Sequence, residues 1–240
     1  MASKSDIHLY TTQTPNGIKI SITLEELGLS YEVHKVDISK NTQKEPWFLE
    51  INPNGRIPAL TDTFTDGEKI RLFEKHKISY PRGTREYYEV NNWLFFLNAG
   101  VGPMQGQANH FTKYAPEKIE YGINRYVNET RRLYSVLNTQ LEKSTSGYLV
   151  GDRCTIADIA HWGWVTSAFY SGVDIEEFPA LKAWDERMEK RPAVEKGRHV
   201  PDPHSIGALK KDPDREAKIK AAAEKGREWV QAGMKADAKK

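Results

Sequence analysis

Cysteine is nearly missing from this chain of 240 residues: Cys154 stands alone. No internal disulfide framework can form, and the composition fits a reducing compartment. Long apolar runs are missing too. No window approaches the ~18 apolar residues of a membrane span. The opening residues, MASKSDIHLY, lack the apolar stretch of about 7–15 residues that a signal peptide needs. Nor is there an excess of one charge. A net charge of +2 argues against broad nucleic-acid binding, which calls for a clustered basic face. What is present is a soluble composition, 28% charged and 38% hydrophobic, long enough for two small domains or one large one. The expectation is a cytoplasmic protein with no membrane and no nucleic-acid partner.

The first part alternates strand and helix. DIHLYTT is a short apolar run ending at the turn signal QTPNG. Thr14-Pro15 opens a helix, Thr as N-cap and Pro at the first helical position. Ile20, Leu24 and Leu27 share one stripe, and Gly28 ends the helix. SYEVHKVDI reads as the next strand, EPWFLEINPNG as a short helical turn and loop. RIPALTD and EKIRLFE read as two further strands, with Asp66-Gly67 as a hairpin turn between them. The order gives a small mixed sheet.

From Thr84 the pattern is helical. EYYEVNNWLFFLNAG is apolar nearly all round, so it is buried centrally or against a partner. A long amphipathic helix carries Ile119, Ile123, Tyr126, Thr130, Leu133, Leu137 and Leu141 on one face. Thr155 with Asp158 forms a capping box, and Cys154 with Ile159 the accompanying hydrophobic staple, which makes Cys154 a core residue. FPALKAWDERMEKRPAV is another helix, stopped at Pro192. The charged, Ala-rich last forty residues read as an extended linker, one solvated helix and a frayed end. His199 and His204 lack carboxylate or Cys partners at ligand spacing, so no metal is expected there.

INPNGRIPALTD followed by LFE resembles the glutathione-binding half of a glutathione transferase. YLVGDRCTIADIAHWGW and FPALKAWDERMEKRPAV resemble its helical half. TPNGIKISITLEELGL and NNWLFFLNAGVGPMQGQANHF are most similar to the fungal group named for the yeast nitrogen-regulatory prion protein. The resemblance runs from residue 7 to about 198. It implies an α+β chain: a thioredoxin-like domain over 1–83, an all-helical domain over 84–198, a charged tail over 199–240, and a homodimer. Glutathione is the implied co-substrate, with a small electrophile as its acceptor.

The resemblance also assigns residues. Ile57-Pro58 stands where the family keeps a cis peptide that turns the Ile57 backbone toward a peptide-like ligand. Glu74 would accept the γ-glutamyl ammonium. Gln43 and Lys44 stand where relatives hold the glycyl end, Lys44 offering a cation to its carboxylate. Asn16 occupies the helix start where other relatives carry Tyr, Ser or Cys. A donor there favours the glutathione thiolate, and the hydroxyls of Thr12 and Thr14 are alternatives. Taken alone, Asn16 is equally a helix-opening turn residue, a strand-end Glu such as Glu74 is solvated more often than not, and Lys44 is nearly as readily a solvated charge. His110, Phe111 and Tyr114 fit either an acceptor pocket or the core.

One departure stands out. In relatives the strand-end Glu is followed by Ser and an amphipathic helix, whose N-terminus holds the γ-glutamyl carboxylate. Here Glu74 is followed by Lys75, and only KHKISYPRG precedes Thr84. By comparison with the family roughly 15 residues are absent. Lys75 offers charge to the carboxylate, but no helix dipole. The expected activity is therefore conjugation of glutathione to electrophiles, or glutathione-dependent peroxide reduction, impaired in this form. The alternative is a non-catalytic regulatory or scaffold protein of the same fold.

Overall fold

A computed structural model describes residues 6–62 and 77–237 as a small sheet followed by a helical body. The first part contains β1 (His8–Thr11), α1 (Pro15–Leu27), β2 (Glu32–Lys35), α2 (Pro46–Ile51) and β3 (Ala59–Thr61). The body contains α3 (Arg85–Phe96), α4 (Gly102–Asn109), α5 (Glu120–Lys143), α6 (Ile156–Val165), α7 (Pro179–Glu189) and α8 (Pro192–Gly197). Two further helices follow, the short α9 (Ser205–Lys210) and the long α10 (Arg215–Asp237). The expected strand Glu68–Glu74 and its Asp66-Gly67 turn lie outside the described residues.

The sheet order is β2-β1-β3, with β1 parallel to β2 and antiparallel to β3. A parallel pair needs a crossover, and α1 supplies it. Thr14 caps α1 as its sequence requires: the hydroxyl accepts from the Gly17 N–H at 2.9 Å, and Gly28 closes the helix at φ +70°. The buried positions differ from the expected stripe. Ile18, Ile22 and Leu24 are buried, whereas Ile20 and Leu27 are only partly covered. The reason is that α1 packs on α6 and α8 as well as on the sheet, so two faces are covered. Ser21 donates to the Gly197 carbonyl at 2.7 Å, and Arg191 forks onto the buried Glu26 carboxylate at 2.7 and 3.0 Å. These polar contacts join the α/β part to the helical body.

The body is centred on α6. Its capping box is present: Asp158 accepts from the Thr155 N–H at 2.9 Å, and Thr155 Oγ1 accepts from the Ala157 N–H. Asp158 also receives the Leu149 N–H and the Trp184 indole, each at 2.9 Å, so one buried carboxylate organises three segments. Around it Trp162, Trp184, Tyr134, Leu137, Leu149 and Leu181 are fully buried. Cys154 is buried with them, as expected.

Two further expectations need correction, on α5 and α10. Residue Ile119 is the N-cap of α5 rather than part of its apolar face, and it is exposed. The chain ahead of α3 is also anchored. Ile78, Ser79 and Tyr80 are buried, the Ile78 carbonyl accepts from the Ile156 N–H at 2.9 Å, and Tyr80 donates to Asp152 at 2.8 Å. Finally, α10 is not wholly solvated. It buries Ile219 and Ala223 and packs on the π-helical turn His110–Tyr114.

Candidate functional site

β3 places the Ile57-Pro58 bond. The peptide is cis, and Ala59 pairs with Tyr10 of β1. Because the pair is antiparallel, Pro58 and Ile57 lie toward the end of the sheet at which β1 runs into α1. The Ile57 backbone takes no hydrogen bond among the described residues. Gly55 precedes it at φ +59°, and a Cβ there would sit 3.1 Å from both the Gln43 carbonyl and the Lys44 Cδ. Only glycine lets the Gln43–Lys44 turn come this close. The cis-Pro loop and the Gln43–Lys44 turn are thus neighbours through Gly55.

Asn16 lies in the first turn of α1. Its Oδ1 accepts from the Lys19 ammonium at 3.2 Å and from the Trp164 indole N–H at 3.3 Å. With the oxygen doubly used, the carboxamide NH2 is the end left to donate. Burial pulls the Lys19 ammonium below its usual range. Thr14 is committed to capping α1, which separates its role from that of Asn16. Gln13 reaches the other way, donating to the carbonyls of Arg198 and Asp202 at 2.7 and 2.6 Å.

Neither Trp164 nor Lys19 figured among the residues expected from sequence. Trp164 is brought to Asn16 by close packing: a Cβ on Gly163 would lie 2.7 Å from the Pro15 carbonyl, so a side chain there would push α6 off α1. Its ring rests over Gly102 and Gly106 of α4, and its carbonyl accepts from Gln105 at 2.8 Å. A Gly-Trp pair in a buried helix, opposite a helix with glycines four apart, is the sequence signal that could have found it.

The other expected residues are placed as follows. Gln43 is buried, with its Oε1 unpartnered among the described residues, and Lys44 is partly covered. Glu74 and Lys75 lie outside the described residues. Phe111 stacks on Tyr126 with centroids 5.4 Å apart, which makes it packing for α5. Tyr114 shares a 2.8 Å hydrogen bond with Tyr170 and lies under Gly226 of α10. His199 accepts the His204 N–H at 3.0 Å and faces Glu195 at 3.3 Å.

Residues 5–74 match the family model for the glutathione S-transferase N-terminal domain, and residues 123–192 that for the C-terminal domain. The disulfide-bond oxidoreductase YfcG of Escherichia coli is 44% identical over 200 residues, 78% of this chain and 92% of YfcG. This chain belongs to the glutathione S-transferase superfamily. Relatives of the fungal group are also among the matches. Protein URE2 of Candida glabrata is 32% identical over 227 residues, 75% of this chain and 63% of that protein. A glutathione transferase homolog from Lodderomyces elongisporus, solved with two glutathione molecules per subunit, superposes with a TM-score of 0.78 at 46% identity. That likeness covers 82% of this chain and all of the other. The small sheet is therefore the thioredoxin-like half of the glutathione S-transferase fold, and the helices are its C-terminal half. Among the described residues no helix is long and apolar enough to cross a membrane.

Proposed function

We propose that this chain is a glutathione transferase that holds the glutathione thiolate at the start of α1, beneath the Asn16 amide. The observation that carries the reading is the double engagement of Asn16 Oδ1 by Lys19 and Trp164, which aims the NH2 outward. A free thiol has a pKa near ~8.5, so little thiolate exists at neutral pH without such help. A donor at a helix N-terminus, with a cation one turn away, favours the anion. Ile57 pairs with the ligand's cysteinyl backbone, Lys44 and Gln43 serve its glycyl end, and Glu74 takes the γ-glutamyl ammonium. Lys75 stands in for the missing helix at the γ-glutamyl carboxylate, which leaves affinity reduced. The chain works as a cytoplasmic homodimer, divided at residues 83 and 198, in detoxification or the response to oxidants.

The acceptor is an electrophilic carbon or sulfur. At carbon, a C–S bond forms and the leaving group departs with its electron pair. At a disulfide, the thiolate displaces one thiolate and forms a mixed disulfide. A second glutathione thiolate then resolves it, giving oxidised glutathione and two thiols. Cys154 cannot take either part, since it is buried and burial pushes its thiol up. Both sulfurs must come from glutathione. The oxidoreductase name of YfcG and the two glutathiones bound in the Lodderomyces relative support the sulfur branch.

The test is turnover of an activated aryl halide and of a small disulfide, in the chain and in Asn16→Ala. Loss of at least tenfold in kcat with glutathione binding retained supports the reading. Absence of glutathione binding, even after the missing helix is restored, overturns it in favour of a non-catalytic scaffold.

A further inference from the structure

At the far end of β1 from Asn16, three metal-ligating side chains converge on the open face of the sheet. His8 of β1 pairs in register with Glu32 of β2, and Tyr10 with His34. Side chains two apart along a strand share a face, so His8, Tyr10, Glu32 and His34 all project together. His8 Nδ1 lies 3.0 Å from His34 Nε2, 3.6 Å from one Glu32 oxygen, and the other Glu32 oxygen is 3.8 Å from His34 Nε2. All the ligand atoms lie within 4.8 Å of one another.

Those separations match a tetrahedral site. Metal–nitrogen and metal–oxygen bonds of about 2.0–2.1 Å at tetrahedral angles put neighbouring ligand atoms about 3.3–3.4 Å apart. The His8–His34 and His8–Glu32 distances, 3.0 and 3.6 Å, bracket that value, while the 3.8 Å from His34 runs to the other Glu32 oxygen, so one oxygen meets both imidazoles after a turn of the carboxylate. The ligands are also held. The His34 ring stacks on Tyr10 at 4.5 Å and 14°, and Tyr10 is braced edge-on by Phe48 at 6.5 Å. β2 and β1 are hydrogen-bonded neighbours, so two of the three ligand positions are fixed to the third by the ladder.

We infer that His8, Glu32 and His34 form a binding site for a zinc-class divalent cation that clips the edge strand β2 to β1. Two imidazoles and one carboxylate are the borderline donors that such ions prefer over calcium or magnesium. Water fills the fourth position, since the ligands are partly exposed. In the metal-free chain one facing imidazole nitrogen donates its proton to the other. Binding requires the tautomer in which both facing nitrogens offer a lone pair, with the proton on the far nitrogen of each ring. Sequence inspection had no purchase on this site, because its ligands stand 24 and 26 residues apart on two strands.

The experiment is competition for zinc between the full chain and a chromophoric chelator, with cobalt absorption reporting the geometry. One equivalent bound per chain, with the intense visible bands of tetrahedral cobalt, is expected. His34→Ala and Glu32→Gln should each weaken zinc at least tenfold, and His8→Ala with His34→Ala should abolish it. His199→Ala should leave it unchanged, separating this cluster from the His199–Glu195 pair. A thermal midpoint that rises with zinc in the parent chain and not in His34→Ala would show the clip itself. No stoichiometric zinc at tens of micromolar, or binding that survives loss of both histidines, would overturn the inference. Neither outcome depends on whether glutathione is bound.

Discussion

Trp164 Nε1 donates to Asn16 Oδ1 at 3.3 Å, a hydrogen bond between the end of α6 and the start of α1. It makes the orientation of the proposed thiolate donor a property of domain packing. Trp164→Phe removes the donor and keeps most of the ring. The expected result is a fall in kcat of about three- to tenfold, from the loss of one hydrogen bond of ~1 kcal/mol. The pH–rate profile should move to higher pH, because the bound thiol is less acidic, with KM for glutathione little changed. A profile that superimposes on the parent's would show that the indole does not orient Asn16.

The cap of α6 should be costly to lose. Thr155→Ala is expected to lower stability by ~1–2 kcal/mol in urea, the usual range for an N-cap. Asp158→Ala should cost more, because the Leu149 N–H and the Trp184 indole are left unpaired in the interior as well. Equal midpoints for the two variants would show that the carboxylate's extra partners contribute nothing.

These two cases mark what a sequence reveals. Thr14-Pro15, Gly28, and Thr155 with Asp158 are local signals whose partners lie within a few residues, and each took its expected place. Ile57-Pro58 was legible through family resemblance. The Trp164–Asn16 bond spans 148 residues and arises only when Gly163 lets α6 approach α1. The covered side of α10 was misread because Ile219 and Ala223 are isolated among charges, too sparse for a stripe. Ile78 and Tyr80 lie in a short segment without periodicity, so nothing local marks them as buried. Long-range contacts between small apolar groups leave no local pattern.

His161 gives a pH dependence of stability. It is fully buried, its Nδ1–H donates to the Ala157 carbonyl at 2.8 Å, and its Nε2 has no partner among the described residues. Burial lowers its pKa from 6.5 to about 4. The folded state therefore resists a proton that the unfolded chain accepts. Stability is intact above pH 6.5 and is lost as pH falls toward 4, with roughly 2–3 kcal/mol gone by the lower end of that range. His161→Phe should flatten the urea midpoint between those pH values by that amount. An unchanged slope would assign the acid sensitivity elsewhere, His204 being the next buried imidazole.

The homodimer can be tested at α3. Phe95 is 72% exposed and Tyr88 57%, one heptad apart on the same face. An apolar helix face of this kind is expected to be covered by a second copy, together with the strand edge near Phe73, which lies outside the described residues. Sedimentation should give a dimer at micromolar concentration and a monomer for Phe95→Glu. A monomeric parent chain would sink the idea.

The segment after Glu74 carries the last expectation. The match to the N-terminal family model ends at residue 74, and by residue 78 the chain is already anchored, with Ile78 and Tyr80 held by Ile156 and Asp152. Only Lys75, His76 and Lys77 separate the two, with no Ser among them. The γ-glutamyl carboxylate is therefore expected to go without one or two charge-assisted hydrogen bonds, at ~1.5–3 kcal/mol each. Glutathione should bind about tenfold to several thousandfold more weakly than in a chain that has the helix. Inserting a Ser-led amphipathic helix between Glu74 and Lys75 leaves the Ile78–Tyr80 anchor in place, and calorimetric titration should then show tighter binding. Micromolar affinity in the parent chain would mean that Lys75 or another cation has taken over the carboxylate.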